Sequence, residues 1–167
     1  MIKLLPVIPD DFPKLISWAT SEEFLMQWTG RTFKYPLSTE QLAEYYDLSL
    51  GKKPSRLVLK AVDELNGKHI GNISIDWVKA NKNEASLTCI IIGDNDYRGK
   101  GIGKFIVEQA GKIAFEKYGI RKLFLNVFDF NKSAIRCYEN CGFKEVFREK
   151  FMINGKGYTN IRMELFL

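Results

Sequence analysis

The stretch Asp96–Phe105, DYRGKGIGKF, places three glycines and three cations in ten residues. Before it runs CIIIGDN, a β-branched apolar segment that reads as a strand buried on both faces. After it, Ile102, Ile106, Ala110, Ile113 and Ala114 fall on one helical stripe that ends at Gly119. A buried strand passing through a glycine turn into a helix fixes a strand-to-helix junction, and that junction has the physics of an anion site. Glycines let backbone N–H groups close on an anion, and the helix start adds unpaired donors and partial positive charge. Arg98 and Lys104 add full charges or face solvent. A glycine-rich turn with solvated cations stays open beside the ligand reading.

The spacing rejects the familiar phosphate loops. Gly103-Lys104 is followed by Phe105, and the residue five before Gly103 is Arg98, so GxxxxGK[ST] fails at both ends. Gly99, Gly101 and Gly103 give GxGxG, which is not the dinucleotide spacing GxGxxG. No downstream kinase motifs are present.

The rest of the chain reads as one domain over residues 1–167, with no linker or repeat. Ile2–Ile8 is expected as a first strand, and Asp10 or Asp11 as cap of the helix after it. SEEFLMQW reads as a short helical turn, and Ser38 with Gln41 opens a capped helix. Strands are expected at Arg56–Asp63, Lys68–Val78 and Glu84–Asp94, the first two joined by an Asn66-Gly67 turn. RKLFLNVF is a further strand, and NKSAIRCYENCGF a short helix with Ser133 as N-cap and Gly142 past its end. KEVFREKFMI and YTNIRMELFL close the chain as two strands.

The net charge of +5 suits a polyanionic ligand, and no RNP-like strand motif argues for nucleic acid. Three cysteines at no disulfide spacing read as reduced thiols. The absence of an apolar leader or membrane-length run points to the cytoplasm and away from a membrane. A homodimer is compatible with the sequence. His69, the only histidine, follows the Asn66-Gly67 turn and is expected exposed, which leaves no Ser-His-Asp apparatus. Cys137 and Cys141 lie i,i+4 with no further ligands, so no metal is expected and packing is their job.

Arg98-x-x-Gly101-x-Gly103 after CIIIG, opening a helix, resembles the acetyl-CoA signature of the GNAT (GCN5-related) N-acetyltransferase superfamily. NVFDFNKSAIRCYENCGFKEV, Asn126–Val146, is similar to that superfamily's later motif. FMINGKGYTNIRMELFL is similar to the tail of the branch holding ribosomal-protein N-terminal and spermidine acetyltransferases. The resemblance covers about half the chain, Glu84 to Leu167. It implies an α+β (mixed α/β) acyl-CoA N-acyltransferase fold: a mostly antiparallel mixed sheet of about six to seven strands, splayed between the fourth and fifth and flanked by about four helices. Acetyl-CoA would lie in the V. The resemblance gives the amides of Arg98, Gly99, Lys100, Gly101, Ile102, Gly103 and Lys104 to the pyrophosphate. It gives the backbone at Ile91, Ile92 and Gly93 to the pantetheine arm and the thioester oxygen. Asn126, Asn131 and Ser133 would contact the coenzyme, and Tyr138 would sit near its sulfur.

The chemistry implied is attack of a primary amine on a thioester carbonyl by direct transfer. Alkyl amines titrate near ~10 and α-amines near ~8, so a proton must leave. A backbone N–H freed by an irregularity in the fourth strand would hold the oxyanion. Tyr138 would protonate the departing thiolate; by spacing alone it reads equally as a core tyrosine. The branch often carries a glutamate base on the fourth strand. Leu87 occupies that position here, which leaves Glu84, a water relay, or Asp76, whose plainer reading is an edge or turn charge. Aromatics of WTGRTFKYP, Trp28–Pro36, would shape the acceptor mouth. A catalytically silent acyl-CoA-binding module on the same fold is the rival reading. Protein N-termini, polyamines, aminoglycosides and small amino metabolites are all open as acceptors.

Overall fold

The computed structural model describes residues 1–52, 54–79 and 81–166. The closing strand expected to run to Leu167 is therefore described to Phe166. One seven-stranded sheet organises the chain: β1 (Ile2–Pro6), β2 (Arg56–Asp63), β3 (Lys68–Trp77), β4 (Glu84–Ile92), β5 (Lys122–Phe128), β6 (Lys144–Ile153) and β7 (Lys156–Phe166), in spatial order β1-β2-β3-β4-β5-β7-β6. Among the described residues five α-helices pack on it: α1 (Phe12–Trp18), α2 (Glu22–Thr29), α3 (Thr39–Asp47), α4 (Ile102–Lys112), which continues as a π turn over Ile113–Lys117, and α5 (Lys132–Asn140). SEEFLMQW thus makes a full helix, capped by Ser21, whose Oγ accepts from the Phe24 N–H.

Two apolar clusters cover the two faces. On one, Ile73, Ile75 and Leu87 of the sheet pack with Ile106, Val107 and Ala110 of α4 and with Tyr138 of α5. On the other, Val58, Cys89 and Ile91 pack with Leu15 and Trp18 of α1, Leu25 of α2 and Tyr45 of α3. β4 contributes to both clusters, which is the physical content of its unbroken apolar run.

Every neighbouring pair is antiparallel except β4 and β5, which run parallel. That pair holds for only three positions: Glu84 opposite Lys122, Ala85 opposite Leu123, and Ser86 opposite Phe124. β5 nevertheless continues to Phe128 against β7, and β4 continues to Ile92 against β3. The two strands therefore part after Ser86, and the sheet opens into a V. The Lys122 ammonium, 2.9 Å from Glu84 and 3.9 Å from Glu164, fastens the closed end. A break in the β3–β4 register between Asn72 and Ser74 marks a bulge in β4, where Cys89 adopts φ +50°. Bulges bend and overtwist a strand, which turns the rest of β4 away from β5.

The open end of β4 is set by close approach. A Cβ on Gly93 would lie 2.0 Å from the Trp18 ring. Trp18 is buried and packs edge-on to Trp28 and His69. Gly93→Ala is therefore expected to lower the melting temperature by about 5–10 °C, the usual consequence of overpacking in a chain of this size. A scan showing an unchanged midpoint would contradict this packing.

Candidate active site

The V holds one continuous cleft with two ends. The larger end, about 670 Å³, is walled by Ile90–Ile92 of β4, by the loop residues Arg98, Gly99, Gly101 and Gly103, and by Ser133, Arg136, Cys137 and Tyr138 of α5. The smaller end, about 310 Å³, lies deeper, between Leu87–Ile90 of β4 and Asn126–Phe128 of β5. Gln27, Trp28, Ile90, Asn131, Ala134 and Tyr138 border both.

The loop is built to receive an anion at the larger end. Gly101 is the N-cap of α4 at φ +77°, and no side chain caps the helix. Gly99 has φ +74°. A Cβ at either position would meet nothing within 4 Å, so the left-handed backbone, not crowding, is what requires glycine there. The first N–H groups of α4 consequently lack an intrahelical or side-chain partner and converge where charge attracts an anion. A diphosphate fits such a cradle, since its oxygens would stand in for the absent cap.

The cations of the loop are more committed than the sequence implied. Arg98 Nε donates to the Ile92 carbonyl at 2.8 Å and ties the loop to the end of β4, while its amide donates to the Asn95 carbonyl. Lys104 pairs with Glu108 one turn on, and Lys100 lies over the Tyr97 ring at 6.0 Å. Ile102 packs into the core beneath the loop. Cys141 Sγ lies 3.8 Å from the Lys104 carbonyl and ties α5 to the start of α4.

Past Ser86, β4 has no strand on its outer side, so alternate N–H and C=O groups face the cleft unpaired. Ile91 and Ile92 lie along this edge in the wall of the larger end, with the Ile92 carbonyl already accepting from Arg98 Nε. The Gly93 amide is taken by the Ile70 carbonyl at 2.9 Å, which leaves only its carbonyl for a ligand.

Asn131 is the N-cap of α5: its Oδ1 accepts from the Ala134 amide at 3.4 Å and from the Ser133 hydroxyl at 3.3 Å. Ser133, expected as the cap, is instead inside the first turn and lines the larger end. Asn126 borders the smaller end, not the larger, with its Oδ1 accepting from Asn160 Nδ2 at 3.2 Å. Tyr138 is buried at the junction of the two ends, edge-on to Phe143. Burial, with the neighbouring Cys137 and Cys141 thiols adding to it, pushes its phenol well above the ordinary tyrosine range. Its hydroxyl has no hydrogen-bond partner among the described residues, so it is a protonated donor held beside the cleft.

Glu84 is not brought to the cleft. It sits at the closed end, bound by Lys122 and by Asn81 Nδ2 at 2.8 Å. Leu87, where a base would stand in the resembling branch, is buried in the core. Asp76 is not the edge charge its position suggested. It is half-buried in the sheet, where Arg56 Nε donates to its Oδ1 at 2.8 Å and the Thr88 hydroxyl to its Oδ2 at 2.8 Å. Burial raises its carboxyl above the ordinary range against the opposing pull of Arg56. Thr88 also meets the Tyr45 hydroxyl at 3.3 Å, and Tyr45 meets Cys89 Sγ at 3.6 Å. Burial drives Tyr45 well above its usual value and Cys89 to about 11. Hydrogen bonds thus link the Asp76 carboxyl through Thr88 to Tyr45 and Cys89. Thr88 and Cys89 both line the smaller end.

His69 is also not exposed as expected. Its side chain is 11% accessible, packed on Trp18 and 3.8 Å from Asp11. Burial lowers its pKa. It lines neither end of the cleft. Among the described residues, no three His, Cys, Asp or Glu side chains converge as a metal site, and no helix is long and apolar enough to cross a membrane. Residues the sequence did not single out also border the cleft: Gln27, Arg136 and Asn160.

Comparison with known proteins agrees with this geometry. The family model described as the acetyltransferase (GNAT) domain matches residues 2–144. The chain is 38% identical over 87 residues to an uncharacterized N-acetyltransferase of Methanocaldococcus jannaschii, covering 50% of this chain and 38% of that protein. It is 32% identical over 112 residues to a Bacillus subtilis protein whose name provisionally assigns it as a phosphinothricin acetyltransferase, covering 66% of this chain and 65% of that one. It thus spans less than two thirds of the length of either. The crystal structure of spermidine N-acetyltransferase from Vibrio cholerae in complex with CoA and spermine superposes with a TM-score of 0.82 at 23% identity, covering 99% of this chain and 95% of that one. With seven strands splayed at a parallel β4–β5 pair and an uncapped glycine loop at the mouth of the V, the chain belongs to the GNAT acetyltransferase family, whose members move an acetyl group from coenzyme A to an amine.

Proposed function

We propose that this chain is an acetyl-CoA-dependent N-acetyltransferase that transfers the acetyl group directly to a primary amine. The observation that carries the reading is the placement of the uncapped start of α4 and the Tyr138 hydroxyl on one cleft, with a second pocket continuing beyond Tyr138. When bound, acetyl-CoA supplies a thioester carbonyl as electrophile. The amides of the glycine loop and of the first turn of α4 hold the diphosphate. The free edge of β4 holds the arm, and its amides at the bulge donate to the carbonyl oxygen as negative charge develops there. Tyr138 donates its proton or a hydrogen bond to the departing sulfur. Asn131 acts chiefly as the cap that orients α5 and therefore Tyr138.

The proton lost by the amine passes to Asp76 through the Thr88 hydroxyl, which can accept from a group in the smaller pocket while it donates to Asp76. This relay takes the place of a carboxylate on β4 itself. Thr88→Val removes the hydroxyl and leaves the Asp76–Arg56 pair intact. It is expected to lower turnover by about tenfold or more and to move the rising limb of the pH–rate profile upward, where more of the amine is already neutral, while Thr88→Ser retains the wild-type profile. Identical pH–rate profiles for Thr88→Val and the wild type would remove the relay.

A further inference from the structure

We infer that the acceptor amine carries its own acidic group, a carboxylate, phosphinate or phosphonate a few bonds from the nitrogen, and that Arg31 binds it. The inference rests on the acetyl-transfer reading above and narrows its acceptor. Among the described residues that border the smaller pocket, Arg31 is the only charged one. The rest of the polar lining consists of amides and hydroxyls, such as Gln27, Asn126, Asn160, Thr29 and Thr88.

Arg31 is placed there by the local chain path. Gly30 ends α2 at φ +59°, ψ −126°, a conformation only glycine adopts readily, and Arg31 follows it as an exposed residue at the border of the smaller pocket. The guanidinium lies over the Phe151 ring, 5.2 Å from its centroid, and enters no ion pair among the described residues. Phe151 belongs to an aromatic group with Phe128 and Tyr158 that forms a firm backing for it. Two carboxylates of the neighbouring elements are already engaged. Glu23, earlier on α2, pairs with Lys156 at 3.2 Å, and Asp76, behind Thr88, pairs with Arg56.

A polyamine would bring positive charge into a pocket whose only ion, among the described residues, is a cation. The like charges would repel, and no carboxylate lines the described wall to offset the lost hydration of its ammonium groups. An amine with an adjacent acid finds the reverse: a planar fork matched to two oxygens, with carboxamide donors around it.

Two sets of acceptors test this with the purified protein and acetyl-CoA, reading thiol release. One set bears an acid group (phosphinothricin, glutamate, phenylalanine) and the other does not (spermidine, phenethylamine), with phenylalanine and phenethylamine differing only in the carboxylate. The expected result is a kcat/KM for at least one acid-bearing amine that is tenfold or more above every acid-free amine, a difference of at least about 1.4 kcal/mol. Arg31→Gln should raise KM for that acceptor about tenfold with little change in kcat, and Arg31→Lys should restore part of it. Efficient turnover of spermidine or phenethylamine with none of the acid-bearing amines would overturn the inference and leave the acetyl-transfer reading standing. An unchanged KM in Arg31→Gln would also overturn it. Release from no amine at all would overturn both.

Discussion

Gly101→Glu is expected to weaken coenzyme A binding by at least about a hundredfold while the protein still folds. Position 101 has φ +77°, and a Cβ added there would meet nothing within 4 Å, so the side chain itself finds no obstacle. The left-handed backbone costs a non-glycine residue roughly 1–2 kcal/mol, which is tolerable in a domain of ordinary stability. The larger effect is electrostatic. The carboxylate would stand at the start of α4, where the diphosphate needs donors and positive potential, and two like charges a few ångströms apart repel by kcal/mol in a partly desolvated site. Calorimetric titration with acetyl-CoA checks the affinity, and a melting scan without ligand checks the fold. Wild-type affinity in the variant would mean that the loop is only a turn.

Tyr138→Phe is expected to lower kcat by about a hundredfold with little change in coenzyme affinity or stability. The ring is buried at the junction of the two ends of the cleft, and phenylalanine preserves its packing against Phe143. Only the hydroxyl is lost, and among the described residues it has no partner to leave unsatisfied. Proton donation by a placed group contributes roughly a hundredfold or more, which sets the scale. The direction of the phenol's pKa adds a pH signature. Burial keeps Tyr138 protonated beyond the ordinary tyrosine range. Wild-type turnover should therefore not fall on the alkaline side until well above pH ~10, the usual tyrosine value. A variant with unchanged kcat across the pH range would remove the donor role.

What the sequence made legible was local. The glycine loop, the helix behind it and the Asn131–Tyr138 helix are written in short-range signals, and each lies where those signals placed it. The strand β4 was visible as an apolar run, but its bulge was not, because Cys89 at φ +50° has no glycine or proline to mark it. Ser133 and Asn131 are both good caps two residues apart, and only the backbone at Asn131 decides between them.

The long-range environment was hidden. His69 follows a turn, and its burial comes from Trp18, far earlier in the chain. Asp76 looked like an edge charge because its partners, Arg56 and Thr88, arrive from the two neighbouring strands. Glu84 looked available because its partner Lys122 is brought to it only by the parallel pairing at the closed end of the V. Arg31 lies in a loop whose sequence shows only a mixture of cation and aromatics. Its meaning appears when the β6–β7 hairpin brings Phe151 beneath it.

The central claim is that the acetyl group passes from coenzyme A to an amine inside the splayed β4–β5 cleft, with no acetyl-enzyme between them. The most direct measurement follows thiol release from acetyl-CoA with an acceptor present, together with the masses of the amine and of the protein. The expected result is one thiol released for each amine acetylated, with the protein mass unchanged at all times. Thiol release accompanied by acetyl on the protein, on Cys137 for example, would contradict direct transfer. Acetyl-CoA that neither binds nor turns over would contradict the account as a whole.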